Sequence, residues 1–186
     1  MKALRSGFMI TGLLASLLAA PAMADSRHLV LSGAGGESLT LGVVTIQPEG
    51  EMYRAEIKLD ESKFGDYFLS MRPFKCLESE KQLLCHLPYL YENNQIIDGQ
   101  DLSALEYQLL FIRKHPNDYG INPWYGIYYQ MAWESDPGGA ITGQLREVNL
   151  DILAAPPAPG NLKPITPDDL YEADPALHWL PKLRIE

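Results

Sequence analysis

The sequence predicts an all-β fold, a small antiparallel meander barrel or sandwich with a proline-rich C-terminal strap. Three observations predict it. Short runs rich in β-branched and aromatic residues recur about every ten residues, with turn residues between them. Two pairs of these runs flank strong turn strings, Gln47-Pro48-Glu49-Gly50 and Ser135-Asp136-Pro137-Gly138-Gly139, as antiparallel hairpins do. Seven of the 14 prolines fall in the 33 residues 154–186. Proline has no amide donor for a ladder, so that stretch is predicted not to be sheet.

In chain order, residues 29–31 make a short first strand, broken by Ser32-Gly33-Ala34-Gly35-Gly36. Residues 38–46 are rich in β-branched side chains, and the four residues 47–50 turn the chain. Residues 51–59 alternate: Met52, Arg54, Glu56 and Lys58 share one face, and Tyr53, Ala55, Ile57 and Leu59 the other. That is the pattern of a half-buried antiparallel strand. Residues 64–71 are apolar on both faces, which predicts a strand in mid-sheet or against a second layer. After a polar, turn-like stretch, residues 101–106 predict one helical turn capped by Asp101. Residues 106–114 predict a strand, although LSALEYQLLFI fits helix and strand alike. A loop at 115–123 leads to the most aromatic strand, 124–134, and residues 140–150 run back.

In the tail, Thr166-Pro167-Asp168-Asp169 joins a capping residue, a proline at the first helical position and early acids, the marks of a short helix start. Tyr171, Leu177, Trp179 and Leu180 are apolar enough to pack along the domain as an extended strap with one or two helical turns, disorder being the alternative.

Residues 1–24 read as a cleavable export signal. Lys2 and Arg5 begin it, an uncharged and mostly apolar stretch follows, and Ala22-Met23-Ala24 supplies a small-x-small cleavage pattern before Asp25. An uncleaved anchor is the alternative, because residues 6–24 approach the ~20 needed to span a bilayer. Pro21 and the polar Asp25-Ser26-Arg27 favour cleavage. The expected organisation is then a β-rich domain over 25–153 and a proline-rich extension over 154–186 packed on it, in the periplasm or secreted. Removing Lys2 and Arg5 takes the formal net charge from −9 to −11. So negative a surface argues against nucleic acid or anionic lipid as a partner. No later apolar run is long enough to make a stable membrane span.

Eight residues separate Cys76 from Cys85. A two-residue turn at Glu80-Lys81 sets them directly opposite, within disulfide reach, and export would place them in an oxidising compartment. A reactive dithiol is the alternative, but the spacing is not C-x-x-C and no further metal ligands stand nearby.

No pattern selects a reaction, a cofactor or a metal, and none is expected. His28, His86, His115 and His178 are scattered without zinc spacing, His86 beside the cysteines being the first to test. The glycine-rich stretch 32–38 feeds a strand and holds no lysine, unlike a phosphate loop. Asp60, Glu61 and Asp66 stand at strand ends, whereas a glycosidase pair needs two carboxyls about 5–10 Å apart across a cleft. Asp168, Asp169, Glu172 and Asp174 lack EF-hand spacing.

Aromatic residues crowd one half of the chain, and both faces of the 124–134 strand carry them, with Gly126 between Trp124 and Tyr128. Core packing accounts for one face. Tyrosine and tryptophan also line ligand clefts and interface hot spots. Trp124, Tyr125, Tyr128, Tyr89 and Tyr91 are therefore the expected binding residues of a non-catalytic domain that meets an envelope protein or a small apolar ligand. The alternative is an envelope hydrolase acting on glycan or peptide through carboxylates.

The strings FGDYFLSMRPFKCLE, LEYQLLFIRK and YGINPWYGIYYQ resemble a group of exported proteobacterial proteins over roughly residues 60–160. The resemblance implies export. No activity attaches to that group, so it implies no site residue.

Overall fold

A computed structural model describes residues 24–186, and the predicted signal segment before Ala24 lies outside the described residues. Twelve strands form one antiparallel sheet. At one end, β1 (Asp25–Ser32), β2 (Ser38–Glu49) and β3 (Met52–Leu59) run as a meander. The other end runs through β4 (Gly65–Phe68), β5 (Pro73–Glu78) and β6 (Leu83–Leu87). Further along the chain, β7 (Ile96–Ile97) pairs with β3, and the four-residue helix α1 (Ser103–Glu106) follows. Then β8 (Leu110–Lys114) pairs with β6, and β9 (Gly126–Trp133) and β10 (Ile141–Val148) complete the second meander.

The tail supplies β11 (Leu170–Glu172) and β12 (Lys182–Ile185). The expectation that the tail holds no sheet is overturned. Its last proline is Pro181, so the four residues of β12 keep every amide donor. That strand lies between β10 and β1, with Ile185 opposite Leu29 on one side and Ile141 on the other. The fold is thus two meanders joined by the last strand of the chain.

Alternation along the strands builds one core inside the curl of the sheet. Leu29 and Leu31, Leu41 and Val44, Leu84, Phe111, Ile127 and Tyr129, Leu145 and Leu183 all meet there. A second core lies on the outer face of β8–β10, where Leu150, just after β10, and Ile165 of the strap cover Leu110, Ile112, Tyr128 and Val148. Of the extension's prolines, Pro167 and Pro175 open three-ten turns and Pro159 lies in a turn closed by Asn161 N–H donating to Ala158 O at 2.9 Å.

The ends of the sheet do not pair with each other. Between them, the amide of Gln108 takes the place of a strand: Nε2 donates to Ala55 O at 3.0 Å and Oε1 accepts from Ile57 N at 2.8 Å. Leu102 and Leu105 around α1 fill one end of the curl. The segment 173–181 crosses the other, where Tyr129 Oη donates to Leu180 O at 2.7 Å and Trp179 N donates to Gln82 Oε1 at 3.0 Å.

Cys76 pairs directly with Cys85 across β5 and β6 as a disulfide. The Glu80-Lys81 turn is closed by Ser79 N–H donating to Gln82 O at 2.9 Å. Other local expectations change. The turn predicted at 47–50 is tighter: β2 runs through Pro48 to Glu49, and Gly50-Glu51 alone make the bend, with Gly50 at φ +70°. Residues 64–71 give an edge strand rather than a mid-sheet one. Beyond β4 nothing pairs, so Phe68 and Met71 face solvent while Tyr67 and Leu69 pack over the disulfide. The strand predicted from residue 106 starts only at Leu110, because Tyr107–Leu109 close a three-ten turn. Leu102 takes the cap position of α1, while the Asp101 carboxylate accepts the Ser103 N–H at 3.0 Å.

Candidate functional site

The aromatic residues singled out by the sequence divide into two groups. Tyr89, Tyr91, Tyr107 and Tyr128 form a ladder of rings in and beside the outer core, 4.7 Å between the Tyr89 and Tyr107 centroids and 6.1 Å between Tyr107 and Tyr128. Three of their hydroxyls tie down neighbouring segments: Tyr91 Oη donates to Leu153 O at 2.8 Å, Tyr107 Oη accepts from Ile165 N at 2.7 Å, and Tyr128 Oη donates to Glu106, whereas the buried Tyr89 Oη has no partner among the described residues. Tyr128 is 4% exposed and shares no surface with Trp124. The gap at Gly126 serves the fold instead, since a Cβ there would stand 2.4 Å from Val148 O.

Trp124 and Tyr125 form the other group, 67% and 49% exposed. They lie in a three-ten turn, Pro123–Tyr125, and not yet in the strand. Asn122 caps it by accepting the Trp124 N–H at 3.1 Å, and Pro123 occupies the first position, where a donor is not needed. Tyr125 lies under the Arg113 guanidinium, 5.3 Å from ring centroid to carbon.

Arg113 follows Phe111 and Glu147 follows Leu145 in strand phase, so both point into the curl one layer beyond the apolar core. Arg113 Nη2 stands 3.3 Å from Glu147 Oε1, and His178 Nε2 stands 3.1 Å from the same oxygen. His178 is delivered by the turn Pro175–Leu177, whose cap Asp174 accepts the Ala176 N–H at 2.9 Å. The His178 side chain is 1% exposed. Burial first, and then the Arg113 charge, hold its pKa below the usual histidine value, against the opposing pull of Glu147 and Asp174. A neutral ring donates Nε2–H to Glu147, which leaves Nδ1 without a partner, as is Arg113 Nε. No hydroxyl or thiol hydrogen-bonds His178 among the described residues, so no nucleophile–base pair is formed there.

Beside this cluster lies a hollow of about 470 Å³ between the turn at residues 79–82, Arg113 to His115, and Ala176 to Trp179. Lys114 lines it, 5% exposed, with Nζ donating to His115 O at 3.1 Å and Asp118 O at 2.8 Å. The end of the curl that residues 173–181 cross therefore offers a small concavity and, through Arg113, the stacked Tyr125 ring, with Trp124 exposed on the same turn as Tyr125, an arrangement suited to binding.

The carboxylates named for the hydrolase reading fall elsewhere. A cleft of about 1160 Å³ opens where the sheet ends fail to meet, and it contains Asp60, Glu61, His28 and His86. Ser62 donates to Asp60 from Oγ at 2.6 Å and from N at 3.1 Å, and these bonds lower the Asp60 pKa. Lys75 stands between Asp66 at 2.9 Å and Glu61 at 3.9 Å. Burial pushes the His86 pKa down, opposed by its bond to Gln108 O at 3.2 Å. The carboxyl whose pKa burial pushes up, Glu106, lies in the core beneath Met131 N–H and Tyr128. Asp169 accepts the Thr166 N–H and hydroxyl at 2.8 and 2.7 Å. Among the described residues, no three His, Cys, Asp or Glu side chains group to hold a metal, and no helix is long and apolar enough to cross a membrane.

Sequence reasoning missed Arg113, Lys114 and Glu147, and set His178 aside. The signal for two of them was present: a charge at the core-facing phase of an apolar strand, after Phe111 and after Leu145. No family model, curated protein or solved structure matches the chain.

Proposed function

We propose that this chain is an exported, non-catalytic binding domain that meets an envelope protein or a small apolar ligand through the aromatic surface at the end of its curled sheet that residues 173–181 cross. One observation carries the reading: Trp124 and Tyr125 remain exposed on a capped, rigid turn, with Tyr125 stacked under Arg113 at the rim of the hollow. Large aromatic side chains left in water beside a concavity are the usual anchors of recognition. The cross-strand disulfide and the N-terminal pattern of residues 1–24 support export.

The hydrolase reading has less support, because Asp60 is engaged in capping and Glu61 and Asp66 face the same lysine. The test is capture from envelope extract, and tryptophan fluorescence titration with apolar ligands, using the protein and its Trp124→Ala, Tyr125→Ala double variant. Loss of a saturable interaction in the variant, with an unchanged urea midpoint, is expected. An interaction of equal strength in both proteins rejects the surface.

A further inference from the structure

The structure assigns His178 the role of an acid-released latch: on taking up a proton it frees the turn at residues 173–178 to swing away from the end of the curl that it crosses. Such a device works without a ligand, so it stands apart from the aromatic surface.

The turn has few holds. Glu172 ends the ladder of β11, and the next amide bonded to the body of the protein is that of Trp179, which donates to Gln82 Oε1 at 3.0 Å. Between them the turn bonds only to itself, Ala176 N–H to Asp174 Oδ1 at 2.9 Å and Leu177 N–H to Asp174 O at 3.0 Å. Asp174 to Leu177 are exposed, and Ala173 adds a small apolar contact to the inner core. Among the described residues, the one polar tie from this turn to the rest of the protein is His178 Nε2 on Glu147 Oε1 at 3.1 Å. Releasing it removes Ala176 to His178 from the wall of the hollow.

That tie suits a neutral ring. Glu147 Oε1 also takes Arg113 Nη2 at 3.3 Å, so a protonated ring is a second cation on one oxygen, with the side chain 1% exposed. Protonation also adds an N–H at Nδ1, a buried atom with no partner among the described residues. Once swung into water, the ring takes its proton near the ordinary value of about 6.5. Proton uptake therefore favours the open turn.

The surrounding charges do not reverse this. Asp174 and Glu147 pull toward protonation, but burial and Arg113 outweigh them. On β8, Lys114 turns the other way, donating to His115 O and Asp118 O at 3.1 and 2.8 Å. His115 is exposed, its Nδ1 accepting Asn117 N–H at 3.3 Å. Glu80 and Lys81 stand exposed on the turn across the hollow.

The test is amide hydrogen exchange followed by NMR on the protein, disulfide intact, with each rate compared with that of an unstructured chain at the same pH. Protection of the Trp179 amide is expected to fall at least about two-fold, and up to about ten-fold, between about pH 7.5 and about pH 5.5. Exchange there is expected to respond weakly to urea below the unfolding transition, because a single turn exposes little surface. His178→Gln keeps a donor for Glu147 and leaves His86 and His115 in place, and its protection is expected to change less than about two-fold. Arg113→Gln leaves the ring a carboxylate of its own, and its fall is expected to be about half that of wild type or less. A wild-type fall under about two-fold, a full urea slope at Trp179, or a fall equal to wild type in either variant overturns the latch. The readout uses no ligand, so its failure leaves the surface at Trp124 and Tyr125 standing, and loss of that surface leaves the latch standing.

Discussion

Ile185, one residue from the end of the chain, is the cross-strand partner of Leu29 in the first strand. On its other side it meets Ile141 of β10. The two meanders therefore have no continuous sheet until the last four strand residues are in place. Leu183, in the same strand, is buried against Gly143, whose missing side chain makes the room: a Cβ there would stand 2.9 Å from Leu183. Leu183→Ala is expected to cost about 2–5 kcal/mol in urea denaturation. Val43→Ala, at a half-exposed position of β2, is expected to cost less than about 0.5 kcal/mol. Equal effects would show that β12 is not a structural keystone.

Gln108 mimics a strand with a donor on one side and an acceptor on the other. Gln108→Glu keeps the acceptor for Ile57 N–H but turns an oxygen toward the carbonyls of Ala55 and Ala104. It is expected to destabilise by about 2 kcal/mol, and Gln108→Ala by a similar amount through two orphaned backbone groups. Hydrogen exchange at the Ile57 amide should rise in Gln108→Ala and stay near wild type in Gln108→Glu. An Ile57 amide unchanged in both would contradict the bridging role.

Glu106 is a buried carboxyl that accepts from Met131 N at 2.5 Å and from Tyr128 Oη. Desolvation raises its pKa despite both bonds. A raised folded-state value means that the stability this group adds is fully present below its unfolded pKa and is lost as pH rises through the folded value. Glu106→Gln keeps an acceptor for Met131 and removes the buried charge, so at pH 7 it is expected to match or exceed wild type. Glu106→Ala leaves two buried donors unpaired and is expected to cost about 1–3 kcal/mol per donor. Chemical denaturation at pH 7 checks both. A Gln variant as weak as the Ala variant would mean the charge itself is needed.

His178 and His86 both have folded pKa values held below the usual histidine value, in each case by burial first. Below about pH 6.5 the unfolded chain takes up protons that the folded chain refuses, so stability falls as pH falls from there toward the folded values. The slope is at most about 1.4 kcal/mol per pH unit for each histidine. His178→Gln keeps a donor for Glu147 and cannot titrate. Its urea midpoint, followed from about pH 7.5 to about pH 5.5, is expected to fall less than that of wild type. Parallel curves would show that His178 does not contribute.

Much of the fold was legible from local signals. The alternation of residues 51–59, the turn strings and the spacing of Cys76 and Cys85 each reflect chemistry within a dozen residues, where period-two burial and turn preferences act directly. The failures share one cause. Residues 64–71 look like a mid-sheet strand because their apolar side chains are visible, but which strands lie beside them is not. The same holds for the aromatic run: Tyr128 and Trp124 carry equally suggestive rings, and only the strap folding over one of them separates core from surface.

The amino-acid order by itself determined the all-β character and the cross-strand cysteine pair, because these follow from side-chain period and turn geometry. Tertiary structure alone decided that the tail's final strand joins the two meanders, that Gln108 bridges the open edge, and that Arg113, Glu147 and His178 meet. These contacts link residues 31 to 156 positions apart, and such pairings are set by which buried surfaces fit together once the sheet has curled.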